Sequence, residues 1–169
     1  MKIPQPGELA PDFELPAVTG EKKHQFKLSS HRGERNVVLA FYPLDWTTTC
    51  GVQLPAMNAD LQKFTELQTQ IAAISVDSIP SHIAWQEKQL GMLNYPMLSD
   101  FFPHGATAEK YGILRLGAPI PGINERAIFV VDKQGKIAFS RVYELGGKVD
   151  HDEIFDVLRG LQSLSARTA

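Results

Sequence analysis

A strand that leads directly into a helix is the feature that most constrains the fold of this chain. Residues 37–42, VVLAFY, form a continuous apolar run, which is the pattern of a strand buried on both faces. Pro43 ends that run, and residues 45–49 are rich in side chains that cap helices. Apolar side chains then recur at spacings of three and four, at Leu54, Met57, Leu61 and Phe64. That spacing predicts an amphipathic helix, so the sequence indicates an α/β fold.

The single cysteine of the chain, Cys50, lies where this helix is predicted to begin. The unpaired N–H groups and the positive dipole end of a helix favour a thiolate there. Hydroxyl groups of Thr47, Thr48 and Thr49 are near enough in sequence to hydrogen-bond the sulfur. A larger thiolate fraction alone would speed attack only about two- to threefold, because nucleophilicity falls with basicity. A fast reaction at Cys50 therefore requires a cation that stabilises the departing atom.

Composition excludes several classes of function. A chain of 169 residues is expected to form one domain, residues 1–169. The net charge is −2 and no basic run is present, so neither nucleic acid nor an anionic membrane surface is an expected partner. No apolar run approaches the ~18 residues of a membrane span. Without a signal-peptide pattern or a second cysteine, a cytoplasmic location is expected.

The rest of the chain alternates strand and helix patterns. Strands are predicted at residues 13–15, 25–28, 71–76, 95–98, 127–131 and 136–143, with a hairpin turn at 20–24. Helices are predicted at residues 81–90 with Ser81 as the cap, at 107–111 as a short helix or turn, and from Asp150 or Asp152 onward. Residues 112–124 are rich in Gly and Pro and are predicted to be an irregular loop.

Pro55 falls inside the helix that is predicted to follow Cys50. Proline is costly in a helix interior but is tolerated at the first helical position. A break is therefore predicted, with the main helix beginning near Pro55. Residues 50–54 would then form a separate first turn that unwinds easily and lets oxidised Cys50 reach a partner.

Three residues around the cysteine carry a resemblance to a known family. Pro43, Thr47 and Cys50 fill the pattern P-x-x-x-T-x-x-C, which resembles the active-site motif of the peroxiredoxins. These are thiol-dependent peroxidases, so the resemblance implies a thioredoxin-like α/β fold with a central mixed β-sheet flanked by helices. It also implies that Cys50 is the peroxidatic cysteine, that Thr47 hydrogen-bonds the sulfur and the peroxide, and that Pro43 shields the site.

Further segments resemble the one-cysteine type represented by alkyl hydroperoxide reductase E. They lie between residues 80 and 131 and include PMLSDFFPHG, Tyr111-Gly112 and AIFVVDKQG. The resemblance extends from residue 7 to about residue 161, over nearly the whole chain. Because no second cysteine is present, it implies that an external thiol completes the reaction cycle.

Arg126 is the predicted cation, since it immediately precedes the apolar run AIFVVD. By the resemblance it lies beside the sulfur of Cys50, favours the thiolate and stabilises the departing oxygen. From the residues alone, an ordinary surface arginine at a strand start is equally compatible. Gln53 replaces the glutamate of many relatives, which leaves the orientation of Arg126 open, although an amide also accepts a hydrogen bond. Gln53 and Trp46 are assigned to substrate binding, and packing in the core or an interface is the alternative for Trp46.

The sequence therefore predicts an enzyme that reduces hydrogen peroxide or organic hydroperoxides through a cysteine sulfenic acid. The expected reductant is a low-molecular-weight thiol, a glutaredoxin-like protein or a thioredoxin-like protein, and a homodimer is expected by analogy. No cofactor or metal is expected, because none of the five histidines has metal-ligand spacing; His104 is the one that merits a test. A redox sensor using the same cysteine is the alternative. A disulfide oxidoreductase and a copper-binding protein are less favoured, because residues 50–53, CGVQ, lack a second cysteine.

Overall fold

A seven-stranded mixed β-sheet, in the order β2-β1-β5-β4-β3-β6-β7, organises the computed structural model, which describes residues 2–168. The strands are β1 (Glu14–Thr19), β2 (Lys22–Lys27), β3 (Asn36–Phe41), β4 (Thr69–Ser75), β5 (Met97–Ser99), β6 (Arg126–Val131) and β7 (Ile137–Tyr143). The helices are α1 (Thr48–Ala59), α2 (Leu61–Glu66), α3 (Ile79–Trp85), α4 (Ala106–Lys110) and α5 (His151–Thr168). Strands β3, β4 and β5 are parallel, and the remaining pairs are antiparallel. The predicted α/β class with a central mixed sheet is confirmed.

Strand β3 lies in the interior of the sheet, between β4 and β6, and is buried along its whole length. Its side chains alternate between two apolar cores, one on each face of the sheet. Val38 and Ala40 belong to the core that contains Cys50, whereas Leu39 and Phe41 belong to the opposite core. Burial on both faces explains why the sequence of this strand is a continuous apolar run.

The predicted break at Pro55 is wrong, because α1 runs without interruption from Thr48 to Ala59 and the chain breaks only at Asp60. Pro55 cannot donate to the carbonyl of Gly51, but packing on both sides of the proline compensates for that loss. Leu54 is fully buried, and its carbonyl accepts a hydrogen bond from the Tyr95 hydroxyl at 2.7 Å. Unwinding of residues 50–54 stays a prediction.

Other boundaries also differ from those predicted, most clearly at the N-terminal hairpin and at α3. The N-terminal hairpin is longer than expected, since β1 and β2 pair from Glu14 to Lys27 around a tight turn with Gly20 at φ +61°. Helix α3 begins earlier than expected, with Ser78 rather than Ser81 as its cap, because the Ser78 hydroxyl accepts a hydrogen bond from the N–H of Ser81 at 3.3 Å. A π-helical turn, Gln86–Leu90, extends α3.

The topology brings two distant segments together at one edge of the sheet. Strand β6 is antiparallel to β3, with Ala127 opposite Phe41. Arg126, the first residue of β6, therefore lies beside the loop that leaves β3 and enters α1. The predicted cation and the predicted nucleophile approach each other because of this register. Within residues 2–168, no helix is both long enough and apolar enough to cross a bilayer.

Candidate active site

Cys50 is the third residue of α1, and its side chain is fully buried. Thr47 precedes the helix in an extended conformation, and its carbonyl accepts the N–H of Gly51 at 2.9 Å, the first hydrogen bond of the helical pattern. The N–H groups of Thr48, Thr49 and Cys50 thus precede the first helical bond. Unpaired N–H groups at a helix N-terminus carry partial positive charge, which favours an anion at this end of α1.

Arg126 reaches this sulfur from β6. One of its terminal nitrogens, Nη2, donates to Cys50 Sγ at 3.3 Å and to the carbonyl oxygen of Leu145 at 2.8 Å. Its Nε donates to the same carbonyl at 3.0 Å, and its Nη1 donates to Gln53 Oε1. The side chain is only 1% exposed, so these contacts fix the guanidinium against the sulfur. The structure places Arg126 beside Cys50, as predicted. The alternative, an ordinary arginine at the surface, is wrong because the residue is buried.

The charge of Arg126 lacks a carboxylate counterion. Within residues 2–168, no carboxylate oxygen lies within 4.0 Å of its nitrogens, and its partners other than the sulfur are neutral oxygens. A buried cation is costly unless an anion compensates it. Among the groups bonded to Arg126, the Cys50 sulfur is the one that could supply such an anion.

The side chain of Gln53 helps to orient Arg126. Its side chain is 8% exposed and accepts the Arg126 hydrogen bond through Oε1, while Nε2 has no partner among the described residues. The amide thus orients the guanidinium without neutralising it. Leu145 was missed from the sequence because it contributes a backbone carbonyl, for which its side chain gives no signal.

Thr47 and Pro43 flank the cysteine on the loop side. The Thr47 hydroxyl donates to the Leu44 carbonyl at 3.0 Å, so the predicted hydrogen bond between Thr47 and the sulfur is not formed in this structure. Because its hydrogen is engaged, the Thr47 oxygen is left as an acceptor for an O–H group that enters the site. Pro43 is buried two residues after β3 ends, and its predicted shielding of the site stays a prediction.

Trp46 lies at the surface of the same loop, in the left-handed region with φ +68° and 46% exposed. Its indole N–H donates to the Ser81 hydroxyl at 3.3 Å, and its ring centroid is 6.3 Å from that of Trp85. The indole is therefore fixed against α3 rather than buried in the core. Its predicted contact with substrate stays a prediction.

A buried polar cluster centred on Asp45 was not foreseen from the sequence. The Asp45 carboxylate accepts hydrogen bonds from the hydroxyls of Tyr42 at 2.7 Å and Ser81 at 2.8 Å, and it lies 2.8 Å from Nδ1 of His82. Burial, with the charge of Asp45, raises the pKa of Tyr42 well above its usual value, so this phenol remains a donor. Burial and the charge of Asp45 also raise the pKa of Asp77. The cluster depends on tertiary contacts between the loop and α3, which the local pattern does not reveal.

A cleft of about 790 Å³ adjoins the cysteine site. Residues Thr48, Thr49, Val52, Gln53 and Ala56 of α1 line one wall, and residues 146–152 line the other. Gln53, which bonds Arg126, is the residue that this cleft shares with the cysteine site. His104 lies elsewhere, where its Nε2 bonds the Gly122 carbonyl at 2.6 Å and links two loops. No group of three or more His, Cys, Asp or Glu residues within residues 2–168 has the geometry to bind a metal.

Comparisons with known proteins show which family the sequence resembles. The sequence profile of the AhpC/TSA family matches residues 6–140. The chain is 36% identical over 165 residues to the chloroplastic 2-Cys peroxiredoxin BAS1 of Hordeum vulgare, covering 95% of this chain and 76% of that protein. It is also 36% identical over 155 residues to the alkyl hydroperoxide reductase E of Mycobacterium bovis, covering 92% of this chain and 96% of that protein. It spans 60% of the length of the corresponding BAS1 protein of Spinacia oleracea.

The fold is shared with solved structures of the same group. The reduced 2-Cys peroxiredoxin of Plasmodium vivax gives a TM-score of 0.88 at 27% identity, covering 95% of this chain and 83% of that chain. Enterococcus faecalis AhpC gives a TM-score of 0.87 at 25% identity, covering 99% and 98% of the two chains. These similarities confirm the predicted thioredoxin-like architecture.

Proposed function

This chain belongs to the AhpC/TSA family of peroxiredoxins, and we propose that it reduces hydroperoxides with Cys50 as its one redox-active cysteine. The predicted relationship to the peroxiredoxins is confirmed by the family match and by 36% identity to alkyl hydroperoxide reductase E. The observation that carries the proposal is the 3.3 Å contact between Arg126 Nη2 and Cys50 Sγ in a site without a carboxylate counterion among the described residues.

In the first step, the Cys50 thiolate attacks one oxygen of the hydroperoxide and the O–O bond breaks. The electron pair of that bond leaves on the second oxygen, which takes a proton and departs as water or an alcohol. Arg126 stabilises the charge that develops on the departing oxygen. The Thr47 oxygen accepts the O–H of the hydroperoxide and so aligns the O–O bond with the sulfur. Cys50 is left as a sulfenic acid.

In the second step, an external thiol attacks the sulfenic sulfur, which releases water and forms a mixed disulfide. A second thiol then reduces that disulfide and returns Cys50 to the thiolate. An external reductant is required because the chain has no second cysteine, although several relatives are named 2-Cys peroxiredoxins. We propose that the cleft between α1 and residues 146–152 is the approach for this thiol, since it adjoins Gln53.

Trapping the intermediate tests the one-cysteine mechanism. Reduced protein is treated with one equivalent of hydrogen peroxide in the presence of dimedone, and the adduct is located by mass spectrometry. A dimedone adduct on Cys50, together with sustained peroxide consumption when an external thiol is added, supports the mechanism. The redox-sensor alternative is favoured if the adduct forms but peroxide is not consumed continuously with a low-molecular-weight thiol, a glutaredoxin-like protein or a thioredoxin-like protein as reductant. Failure to form the adduct contradicts the sulfenic acid intermediate.

We also propose a homodimer that uses exposed apolar side chains on two loops near the site. Phe102 is 87% exposed, Leu116 is 86% exposed and Phe101 is 58% exposed. Large exposed apolar groups are typical of interaction surfaces. Sedimentation of the wild-type chain and of a Phe102→Ser, Leu116→Ser variant tests this. We expect a dimer for the first and a monomer for the second, and a monomeric wild-type chain contradicts the proposal.

A further inference from the structure

The loop that carries the site, residues 43–47, is tied to the rest of the fold through Asp45. Oδ1 of Asp45 accepts from the Tyr42 hydroxyl at 2.7 Å, and Oδ2 accepts from the Ser81 hydroxyl at 2.8 Å and is hydrogen-bonded to His82 Nδ1 at 2.8 Å. The backbone N–H of Asp45 donates to Asp77 Oδ2 at 2.8 Å. One residue thereby connects the loop to the end of β3, to α3 and to the turn after β4. None of the reaction steps above uses these bonds.

His82 has hydrogen-bond acceptors on both sides of its ring. The residue is fully buried, and its Nε2 lies 3.0 Å from the carbonyl oxygen of Leu98. A carbonyl oxygen can only accept, so Nε2 carries a hydrogen. On the other side, Nδ1 faces a carboxylate oxygen of Asp45. The pair is therefore either an imidazolium that donates from both nitrogens and faces an Asp45 carboxylate, or a neutral imidazole whose Nδ1 accepts a hydrogen bond from a protonated Asp45.

The surroundings favour the imidazolium form. The Asp45 carboxylate accepts hydrogen bonds from the hydroxyls of Tyr42 and Ser81 whichever form His82 takes, and donors to a carboxylate stabilise its ionised state. Asp77 adds a second carboxylate close by, which accepts from the Asp45 N–H and from the Ser75 hydroxyl at 2.7 Å. Of the described titratable groups, Tyr42, Asp45 and Asp77 are those bonded to His82 or to its partner.

We propose that Asp45 and His82 form a buried carboxylate–imidazolium pair that positions Thr47 against the Cys50–Arg126 pair. Thr47 lies two residues after Asp45 on the loop, and its hydroxyl bonds Leu44 on the same loop. Arg126, in contrast, is fixed by Gln53 and Leu145, which belong to other elements. The two halves of the site are thus held independently. Asp45 and His82 are positioning residues, because neither touches the sulfur.

This separation predicts which reactions of Cys50 depend on the pair. Attack on a hydroperoxide uses the Thr47 oxygen to orient the substrate, whereas alkylation by iodoacetamide needs only the thiolate that Arg126 stabilises. Loss of the pair is therefore expected to slow oxidation by at least about tenfold, as displacements of about 1 Å near a reacting atom do. Alkylation is expected to change by less than about threefold, because the thiolate is formed at the other half of the site.

The experiment measures both rates in Asp45→Asn and His82→Gln, with Ser81→Ala as a milder variant if the first two do not fold. The matched control is Asp60→Asn, since Asp60 and His151 form a second carboxylate–histidine pair at the same 2.8 Å, but one that is partly exposed. We expect the ratio of the two rates to fall in the first set and to stay unchanged in the control. An equal fall in both rates, or no fall, overturns the positioning role.

Nitrogen-15 NMR of the histidine rings in the wild-type protein tests the protonation state without any substitution. Two protonated ring nitrogens for His82 are expected, and a single one overturns the imidazolium assignment. The positioning role rests on the proposed peroxidase function, and the two fail differently. A wild-type chain that reacts with hydrogen peroxide no faster than a free thiol contradicts the function. A fast wild-type chain with an equally fast Asp45→Asn variant contradicts only the positioning role.

Discussion

Two arginines, Arg115 and Arg126, lie eleven residues apart in the chain and differ in whether a carboxylate compensates their charge. Arg115 donates through Nη1 to both carboxylate oxygens of Glu125, at 2.8 and 2.9 Å, with its side chain 20% exposed. Arg126 is 1% exposed and bonds an amide oxygen, a backbone carbonyl and a sulfur. The first charge is compensated by a permanent anion. The second is compensated only when Cys50 ionises.

The difference explains why one guanidinium can serve a reaction and the other cannot. A cation that is already paired with a carboxylate gains little from a further negative charge nearby. A buried cation surrounded by neutral dipoles remains available to an anion that appears during the reaction, and it acts at low effective dielectric. The sequence shows only that both residues are arginines. Their contacts in the structure are what distinguish their roles.

Replacing Cys50, whose sulfur faces Arg126, is expected to have the largest effect on peroxide consumption. Cys50→Ser is expected to abolish peroxide consumption, because a serine hydroxyl neither ionises near neutral pH nor forms a stable oxidised product under these conditions. The measurement is peroxide removal with a thiol reductant in excess, and circular dichroism serves as the control for folding. Consumption by the variant above that of the buffer contradicts the assignment of Cys50.

Exchanging the two arginines for lysine tests the comparison itself. Arg126→Lys is expected to lower the second-order rate with hydrogen peroxide by about 10²–10³, the usual cost of losing an oriented charge-stabilising donor. Arg115→Lys is expected to change that rate by less than about twofold, because its charge is already paired on the surface. Similar losses in both variants indicate that the arginines act on the fold rather than on the sulfur.

The Gln53→Glu substitution would give Arg126 a carboxylate partner, as Glu125 is for Arg115. The added carboxylate neutralises the guanidinium, so the fraction of Cys50 present as thiolate at neutral pH is expected to fall by about three- to tenfold. Ultraviolet absorbance of the thiolate measures that fraction, with Gln53→Met as a neutral control that keeps the charge of Arg126. If the thiolate fraction is unchanged in Gln53→Glu, the added carboxylate does not compete with the Cys50 sulfur for the charge of Arg126.

Opening of the first turn of α1 is expected to give the smallest effect. Cys50 and Gln53 both lie in this turn, so its opening removes two partners of Arg126 while Arg115 keeps Glu125. Amide hydrogen exchange is expected to be faster in residues 50–54 than in residues 58–66, since Pro55 cannot close the bond to Gly51. Pro55→Ala restores that donor and should slow the exchange. Equal exchange in the two segments contradicts an easily opened turn.

Local patterns predicted the parts of this site that depend on neighbours in sequence. The apolar run before Pro43 and the helical spacing after it placed Cys50 at a helix start, and the run after Arg126 placed that residue at a strand start. The predicted break at Pro55 was wrong because burial of Leu54 and Met57 outweighs one missing hydrogen bond. Local propensity is a weak guide where tertiary packing is strong.

The parts that were missed depend on contacts between distant segments. The Leu145 carbonyl that receives Arg126 and the His82 ring that faces Asp45 have ordinary sequence surroundings. The hydroxyl of Thr47 was expected on the sulfur but donates to the carbonyl of Leu44, because that oxygen lies within the same turn of the loop. A residue type and its spacing specify which groups are available, and the fold decides which of them meet.

The rate of oxidation of the reduced wild-type protein tests the central claim most directly. Stopped-flow fluorescence of Trp46 and Trp85, whose rings lie 6.3 Å apart, follows the reaction with hydrogen peroxide and with an organic hydroperoxide. The account predicts a second-order rate several orders of magnitude above that of a free thiol for at least one of them, and no such phase in Cys50→Ser. A wild-type rate like that of a free thiol contradicts the claim that Arg126 makes Cys50 a peroxidatic cysteine.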